Sequence, residues 1–248
     1  MRPINIKVVD FLRKTKSTVL FSGGKDSLAL LLFMLDYVGV SADWNILYIE
    51  VTGNTAQECT EYVKKICERL GVSERLMIVR REDLDFYQCL KSWGIPCSRK
   101  SRWCFWQFKE RLIEKHARPV QVSGIKKSDS NVRRNIEEIG VFWRKNITVK
   151  PLANWSKEDV LDYIKERGLE LNPCYKAFGH SGNCVFCPYY DKRSIRLTMQ
   201  HPYWRKKILD ALNYINTWSN LPKFSKYVLE RWLKEAKNNS ILLYTCIE

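Results

Sequence analysis

The stretch from Thr18 to Leu35, TVLFSGGKDSLALLLFML, decides the fold. Thr18, Val19, Leu20 and Phe21 are β-branched or apolar, and the run breaks off at Ser22-Gly23-Gly24. An apolar helix pattern starts at once, from Ser27 through Leu28, Leu30, Leu31, Leu32, Phe33, Met34 and Leu35. Strand, glycine turn and buried helix in that order place bare backbone N–H groups and a positive dipole end at the top of a sheet, which suits phosphate. The glycines permit the turn and leave room for an anion against the backbone. Lys25 adds a cation within reach of a phosphate oxygen. Asp26 adds a carboxylate, which sits well beside an anion only when a metal ion bridges the two. A plain capped turn is the competing reading of such a segment. The G-x-x-x-x-G-K-[ST] spacing of a Walker A loop is absent.

At 248 residues the chain fits one α/β domain with at most a small appendage, and 45% apolar residues is ordinary for a packed core. We divide it into a nucleotide-binding domain over 1–188, Cys-rich loop included, and a basic helical extension over 189–248. No apolar run is long enough for a membrane span. The start, MRPINIKVVDFLRKTKS, mixes charge into its apolar positions and reads as a short amphipathic helix, not a signal peptide. A cytoplasmic location follows as the expectation, with the nine cysteines as thiols or metal ligands. The formal charge of +15 favours a polyanionic partner. Its excess gathers between Arg99 and Lys150 and again after Asp191.

Further strands are expected at Trp44 to Val51, Arg75 to Val79, Pro119 to Ser123 and Ile147 to Leu152. Helices are expected at about Thr55 to Leu70, Asp83 to Trp93 and Phe105 to Lys115. Another opens with Ser156 as N-cap and Asp159 at the box position and runs to Gly168. This alternation predicts a Rossmann-like, doubly wound, mostly parallel sheet, with ligands beyond the carboxyl ends of its strands. Ser22, the segment from Glu50 to Asn54, and Ser123-Gly124 fall at such ends. The turn after Gly124 carries four cations, Lys126, Lys127, Arg133 and Arg134, and reads either as a phosphate clamp or as a solvated turn.

SGGKDS resembles the PP-loop of the ATP pyrophosphatase superfamily, which cleaves ATP between its α and β phosphates and transfers AMP. Together with SGIKKSDSNVR, RWCFWQFK, PLANWSKEDVLDYI and NPCYKAFGHSGNCVFCP, it is similar to the phosphoadenosine phosphosulfate (PAPS) reductase family over roughly Thr18 to Pro188. The resemblance implies an adenine nucleotide α hydrolase-like fold. It implies that the loop amides of Gly23 and Gly24, Ser22, Ser27 and Lys25 hold pyrophosphate, with Asp26 on Mg2+ and Lys25 and Asp26 as the catalytic pair. Gly124, with Arg133 or Arg134, would line the nucleotide. The chain departs from the family where an Asp-Thr-Gly is replaced by Val51-Thr52-Gly53, with Glu50 one place early. The nucleophilic cysteine of assimilatory reductases has no counterpart in the tail Tyr244-Thr245-Cys246-Ile247-Glu248, where Cys246 is read as an ordinary thiol.

Cys184-Val185-Phe186-Cys187 is a C-x-x-C in a loop, which lets two sulfurs meet one metal, and a third ligand from the same loop is cheap in chain entropy. Some members of the family hold a [4Fe-4S] cluster with the RWC-type cysteine and this late pair. The resemblance thus implies Cys104, Cys184 and Cys187 as ligands. Cys174 is the expected fourth, with Cys97 in reserve and His180 third; zinc is the alternative to iron–sulfur. Cys59, Cys67 and Cys89 fall inside helix patterns and read as core. His116 and His201 stand alone.

Three functions remain open. The first is an enzyme that binds ATP and Mg2+, adenylates a substrate and passes sulfur to a nucleic acid with a cluster's help. The second is a reductase of PAPS or adenylyl sulfate, and the third a non-catalytic nucleic-acid-binding protein. The expected partners are an adenine nucleotide, tRNA or DNA along the basic faces, and no membrane, with a homodimer left open. The tail from Tyr189 to Asn238 mixes cations and aromatic rings, either to track nucleic acid or to pack a helical appendage.

Overall fold

A computed structural model describes residues 2–96, 102–141 and 146–244, with side chains described as far as 238. Six strands form one sheet: Ser17–Leu20 (β1), Trp44–Glu50 (β2), Leu76–Arg80 (β3), Val120–Val122 (β4), Ile139–Val141 (β5) and Ile147–Val149 (β6). Their order is β3-β2-β1-β4-β6-β5. β1 pairs in parallel with both β2 and β4, and β4 with β6; β5 runs antiparallel, on the edge beside β6. Val19 faces Ile46 on one side and Val122 on the other, and all three are fully buried. Such runs of Val and Ile are what a sheet covered on both faces requires. Chain order reverses between β1 and β4, so the crevice beyond their carboxyl ends is the topological switch point of the sheet.

The helices, in chain order, begin with Ile6–Lys14 (α1), Lys25–Phe33 (α2), Gln57–Arg69 (α3), Phe86–Trp93 (α4), Trp103–Phe105 (α5) and Arg111–His116 (α6). They continue with Lys157–Glu166 (α7), Cys174–Phe178 (α8), Lys192–Gln200 (α9), Pro202–Asn216 (α10) and Lys223–Tyr244 (α11). Every residue of α2 from Ser27 to Phe33 is buried, which accounts for its lack of a polar face. Each leucine so buried contributes roughly 1.5–3 kcal/mol. α2 continues into a π-helical turn, Met34–Val38, and a second such turn, Trp106–Glu110, separates α5 from α6. The box foreseen at α7 is present: Asp159 N–H donates to Ser156 Oγ at 3.0 Å and Ser156 N–H to Asp159 Oδ2 at 2.8 Å. The strand expected to reach Leu152 stops at Val149, where the chain turns back. Short β5 was not anticipated, because three residues with exposed Ile139 and Val141 carry no period. Among the described residues no helix is long and apolar enough to cross a membrane.

The chain divides into two compact units, Met1–Ile49, Glu61–Val79 and Leu112–Asn172 in one, and Glu50–Thr60, Arg80–Arg111 and Pro173–Glu248 in the other. The sequence reading drew one boundary at 188; here the helices after 188 share a unit with the Cys-rich loop. In the first unit α7 packs on α2 through Trp155, which is 1% exposed, lies 6.4 Å edge-on from Phe33, and donates its Nε1–H to the Pro3 carbonyl at 2.9 Å.

In the second unit Asn54 is the pin. It is fully buried; its Nδ2 donates to the Phe186 carbonyl at 3.0 Å and its Oδ1 accepts the Phe186 N–H at 2.8 Å. Backbone bonds Val185 N–H to Asn54 O (2.7 Å) and Ala56 N–H to Gly182 O (2.9 Å) fasten the same loop. Asn54→Ala strands two buried backbone groups, so we expect a loss of about 2–4 kcal/mol, read as a lowered urea midpoint, with Asn54→Asp only partly recovering it.

Candidate functional site

The loop after β1 and the turn after β4 leave neighbouring parallel strands in the same direction, which brings SGGKDS beside SGIKKSD. Gly23 has φ of +72°, a conformation that favours glycine. Gly24 is the N-cap of α2 and supplies no side-chain cap, and the positive end of the helix dipole falls at this bend. Ser27 Oγ donates to the Gly24 carbonyl at 2.9 Å and accepts the Ser22 N–H at 3.2 Å, closing the loop on itself. From the NPCYK segment, Asn172 Nδ2 donates to the Gly23 carbonyl at 3.0 Å and braces the bend from behind.

Charge is concentrated on Asp26. Lys25 Nζ reaches its Oδ2 at 2.6 Å, and Lys126 Nζ donates to its Oδ1. Lys126 is only 2% exposed and also reaches Asp129 Oδ1 at 2.8 Å; Arg133 meets the other oxygen of Asp129 at 2.9 Å. Burial works to raise the Asp129 carboxyl, but the Lys126 ammonium and amide, with Arg133, outweigh it and hold it below its ordinary range. Backbone contacts seat the turn: Lys127 N–H donates to Ala153 O at 2.8 Å, and Ser128 Oγ to Trp155 O at 3.1 Å. Gly124 is required because a Cβ there would lie 2.6 Å from the Asp26 carbonyl oxygen.

Sequence reasoning named Ser22 to Ser27, Gly124 and Arg133, counted Lys126 only as one of four cations in the turn, and passed over Asp129 and Asn172. A lysine two places past a strand-end glycine was the available signal for Lys126. Its burial is decided by a carboxylate 100 residues away. The departure at strand two has a structural use: Val51 is buried, Thr52 Oγ1 donates to the Arg81 carbonyl, and Gly53 (φ +81°) lies against the Asp85 carboxylate. Glu50 is held by Thr60 Oγ1 at 2.7 Å and by Arg80 at 3.6 Å.

The cysteines sort into two groups within the second unit. Cys104, Cys184 and Cys187 interact electrostatically: burial pushes the Cys187 thiol up to about 12, and Cys184 and Cys104 add to the rise. Burial likewise raises Cys104, with Cys184 adding and Arg102 and Lys109 opposing. Cys174 keeps different company. Burial pushes it up to about 12, with Cys59 and Glu58 as its charged neighbours, and a Cβ on Gly182 would lie 2.6 Å from its Sγ. As donors, thiolates suit a soft metal or cluster. Among the described residues no set of three or more His, Cys, Asp or Glu side chains is arranged to hold a metal ion. Cys97 and Cys246 lie outside the described residues. Buried Cys59, Cys67 and Cys89 lie in helices or at a helix start, as expected of core thiols.

His180, third choice as a ligand, is committed elsewhere. Its Nδ1 accepts the Gly182 N–H at 3.1 Å, its Nε2 pairs with Thr198 Oγ1 at 3.3 Å, and the ring stacks on Tyr190 at 4.1 Å.

A model of the phosphoadenosine phosphosulfate reductase domain matches residues 16–189. The chain belongs to that family. An uncharacterised protein of Methanocaldococcus jannaschii is 31% identical over 179 residues, covering 68% of this chain and 35% of the relative. An adenosine 5'-phosphosulfate reductase of Streptomyces coelicolor is 32% identical over 68 residues, 26% of this chain and 28% of that protein. The chain thus spans about a third of the length of these relatives. Among solved structures, the PAPS reductase of Candida auris in its phosphate complex superposes with a TM-score of 0.50 at 16% identity, over 69% of this chain and 83% of that one. The shared fold is the adenine nucleotide α hydrolase-like one expected of this PAPS reductase family member.

Two outcomes follow. Gly124→Ala pushes a methyl into the Asp26 backbone, so nucleotide affinity should fall at least tenfold in titration calorimetry while the circular dichroism spectrum stays native. Burial pulls the His180 imidazole down to about 4, so the unfolded chain takes up its proton first. The stability this gives is complete above the unfolded value near 6.5 and is lost as pH falls towards 4, by roughly 3 kcal/mol. Urea unfolding at pH 7 and at pH 4.5 should show that slope, and His180→Asn should flatten it.

Proposed function

We propose that this protein is a PP-loop enzyme of the PAPS reductase family that binds ATP with Mg2+, adenylates an oxygen of its acceptor, and supports sulfur transfer to a nucleic acid. The observation that carries the reading is the uncapped N-terminus of α2 behind Gly23 and Gly24, flanked by Lys25 and the buried Lys126. Amides and an ammonium group aimed at one place stabilise the charge that gathers on a departing pyrophosphate. An acceptor oxygen attacks the α phosphorus, the bond to the bridging oxygen of the β phosphate breaks, and pyrophosphate leaves towards Ser22 to Ser27. A sulfide-level sulfur then replaces the adenylated oxygen, which departs with AMP.

Lys25 serves this scheme by turning from Asp26 to the phosphates. With Lys25 so turned, Asp26 would be available to hold the metal, which would supply charge neutralisation at the phosphates. Lys126, buried and doubly paired, keeps Asp26 in place while Lys25 moves. Arg133, half exposed beside Asp129, is placed to meet the rest of the nucleotide. Cys104, Cys184 and Cys187 would hold a [4Fe-4S] cluster or zinc, with Cys174 or Cys97 as fourth ligand. A cluster there would supply soft, sulfur-binding iron.

The family match and the Streptomyces relative favour a second reading, reduction of PAPS or adenylyl sulfate in the same pocket. Incubation with α-labelled ATP and bulk tRNA separates the two. We expect AMP and pyrophosphate to form, and Lys25→Ala to slow their formation about 100-fold or more. Intact ATP, together with sulfite released from either sulfonucleotide under a thiol reductant, would decide for the reductase. Iron and zinc analysis after anaerobic purification, with loss of the bound metal in Cys184→Ser, tests the thiol assignment.

A further inference from the structure

Within the second unit, three aromatic rings run in a continuous series between two guanidinium groups. The Arg102 guanidinium lies 5.8 Å from the Tyr189 ring, and that ring lies 5.8 Å from Phe224. Phe224 is 6.4 Å from Tyr227, whose ring lies 5.3 Å from the Arg231 guanidinium. Tyr189 and Tyr227 are 49% and 54% exposed, so these rings do not serve to pack α11 against its unit. That role falls to Trp232, fully buried 4.7 Å from Phe186 on the opposite side of the same helix. Lys223, Lys226 and Lys234 of α11 stand exposed among the rings. Glu235 nearby is buried and neutralised by Arg196 at 3.1 Å and Lys192 at 3.9 Å, and Glu230 is the exposed acid of this stretch.

We propose that this ladder binds single-stranded nucleic acid, its bases stacking on Tyr189 and Tyr227 and its phosphates meeting the α11 lysines. Open rings bordered by cations are what a strand of unpaired bases requires, since every base offers a π-face and every linkage a charge. An acidic peptide would use the lysines but would have no call on the rings, and a duplex hides its bases. The series starts at the thiols: Arg102 precedes Cys104 by two residues, and Tyr189 follows Cys187 by two. The inference deepens the proposed sulfur transfer by making the acceptor a loop or unpaired stretch of nucleic acid.

Fluorescence anisotropy with a short fluorescein-labelled single-stranded RNA, and with the same strand annealed to its complement, tests the proposal without ATP. We expect the single strand to bind more tightly than the duplex, and to weaken as salt rises. The Tyr189→Ala, Tyr227→Ala double variant should bind it at least tenfold more weakly, whereas the corresponding double Phe variant retains affinity because the rings remain. Lys25→Ala should bind RNA as the unaltered protein does, so failure of the ATP reaction and failure of the ladder are separate results. Equal affinity in the alanine and phenylalanine variants, duplex binding as tight as single-strand binding, or no binding of either overturns the proposal. Competition by polyglutamate that depends on the same two rings overturns it also.

Discussion

Lys126 is a cation almost wholly withdrawn from water, and such a charge persists only with carboxylates at hand. Asp26 comes from the loop after β1 and Asp129 from the turn after β4, so the ammonium group ties the two segments into one piece. Removing it would leave two carboxylates facing each other with nothing between them, a far greater loss than that of a surface ion pair. The contact needs the two backbones to approach closely, which Gly124 permits. It also needs the bend at Gly23 to hold its shape, which Asn172 secures. Lys25, by comparison, is partly exposed and shares only one oxygen of Asp26. One lysine is thus buried within the frame and the other lies partly exposed at its edge, although in the sequence both are simply lysines near glycine.

The second unit solves a different problem. Its C-x-x-C loop contains no regular structure, so its backbone groups need partners from elsewhere. The Asn54 amide supplies them as a neighbouring strand would, and Phe186 then lodges among Phe86 and Trp232. Burial raises the Cys187 and Cys104 thiols beside it, the opposite of the lowered thiol of a thioredoxin-type redox pair.

What could be read in advance was whatever short-range chemistry decides. The strand-turn-helix from Thr18, the all-round burial of α2, the Ser156–Asp159 box and the alternating order that makes a parallel sheet all lie within a few residues of their cause. What escaped depends on partners far along the chain. Lys126 looked like one of four cations in a turn, Asn54 and Asn172 like ordinary loop residues, and His180 like a spare ligand, until residues up to 149 positions away claimed each of them. β5 was invisible because an edge strand of three residues, paired on one side, has no pattern to show.

The π-helical turn that follows α2 holds a surplus residue within a continuous helix. Within it, Asp36 accepts a hydrogen bond from Tyr163 at 2.5 Å and an ion pair from Arg167 at 2.9 Å, at the α7 end. A deletion in Met34–Val38 could relax the coil to ordinary α geometry without interrupting it, yet would swing Asp36 about a quarter turn off its partners. Chain length at this point is therefore constrained by angular phase, and a lineage that lost the surplus residue would have to rebuild the docking of α7 at the same time.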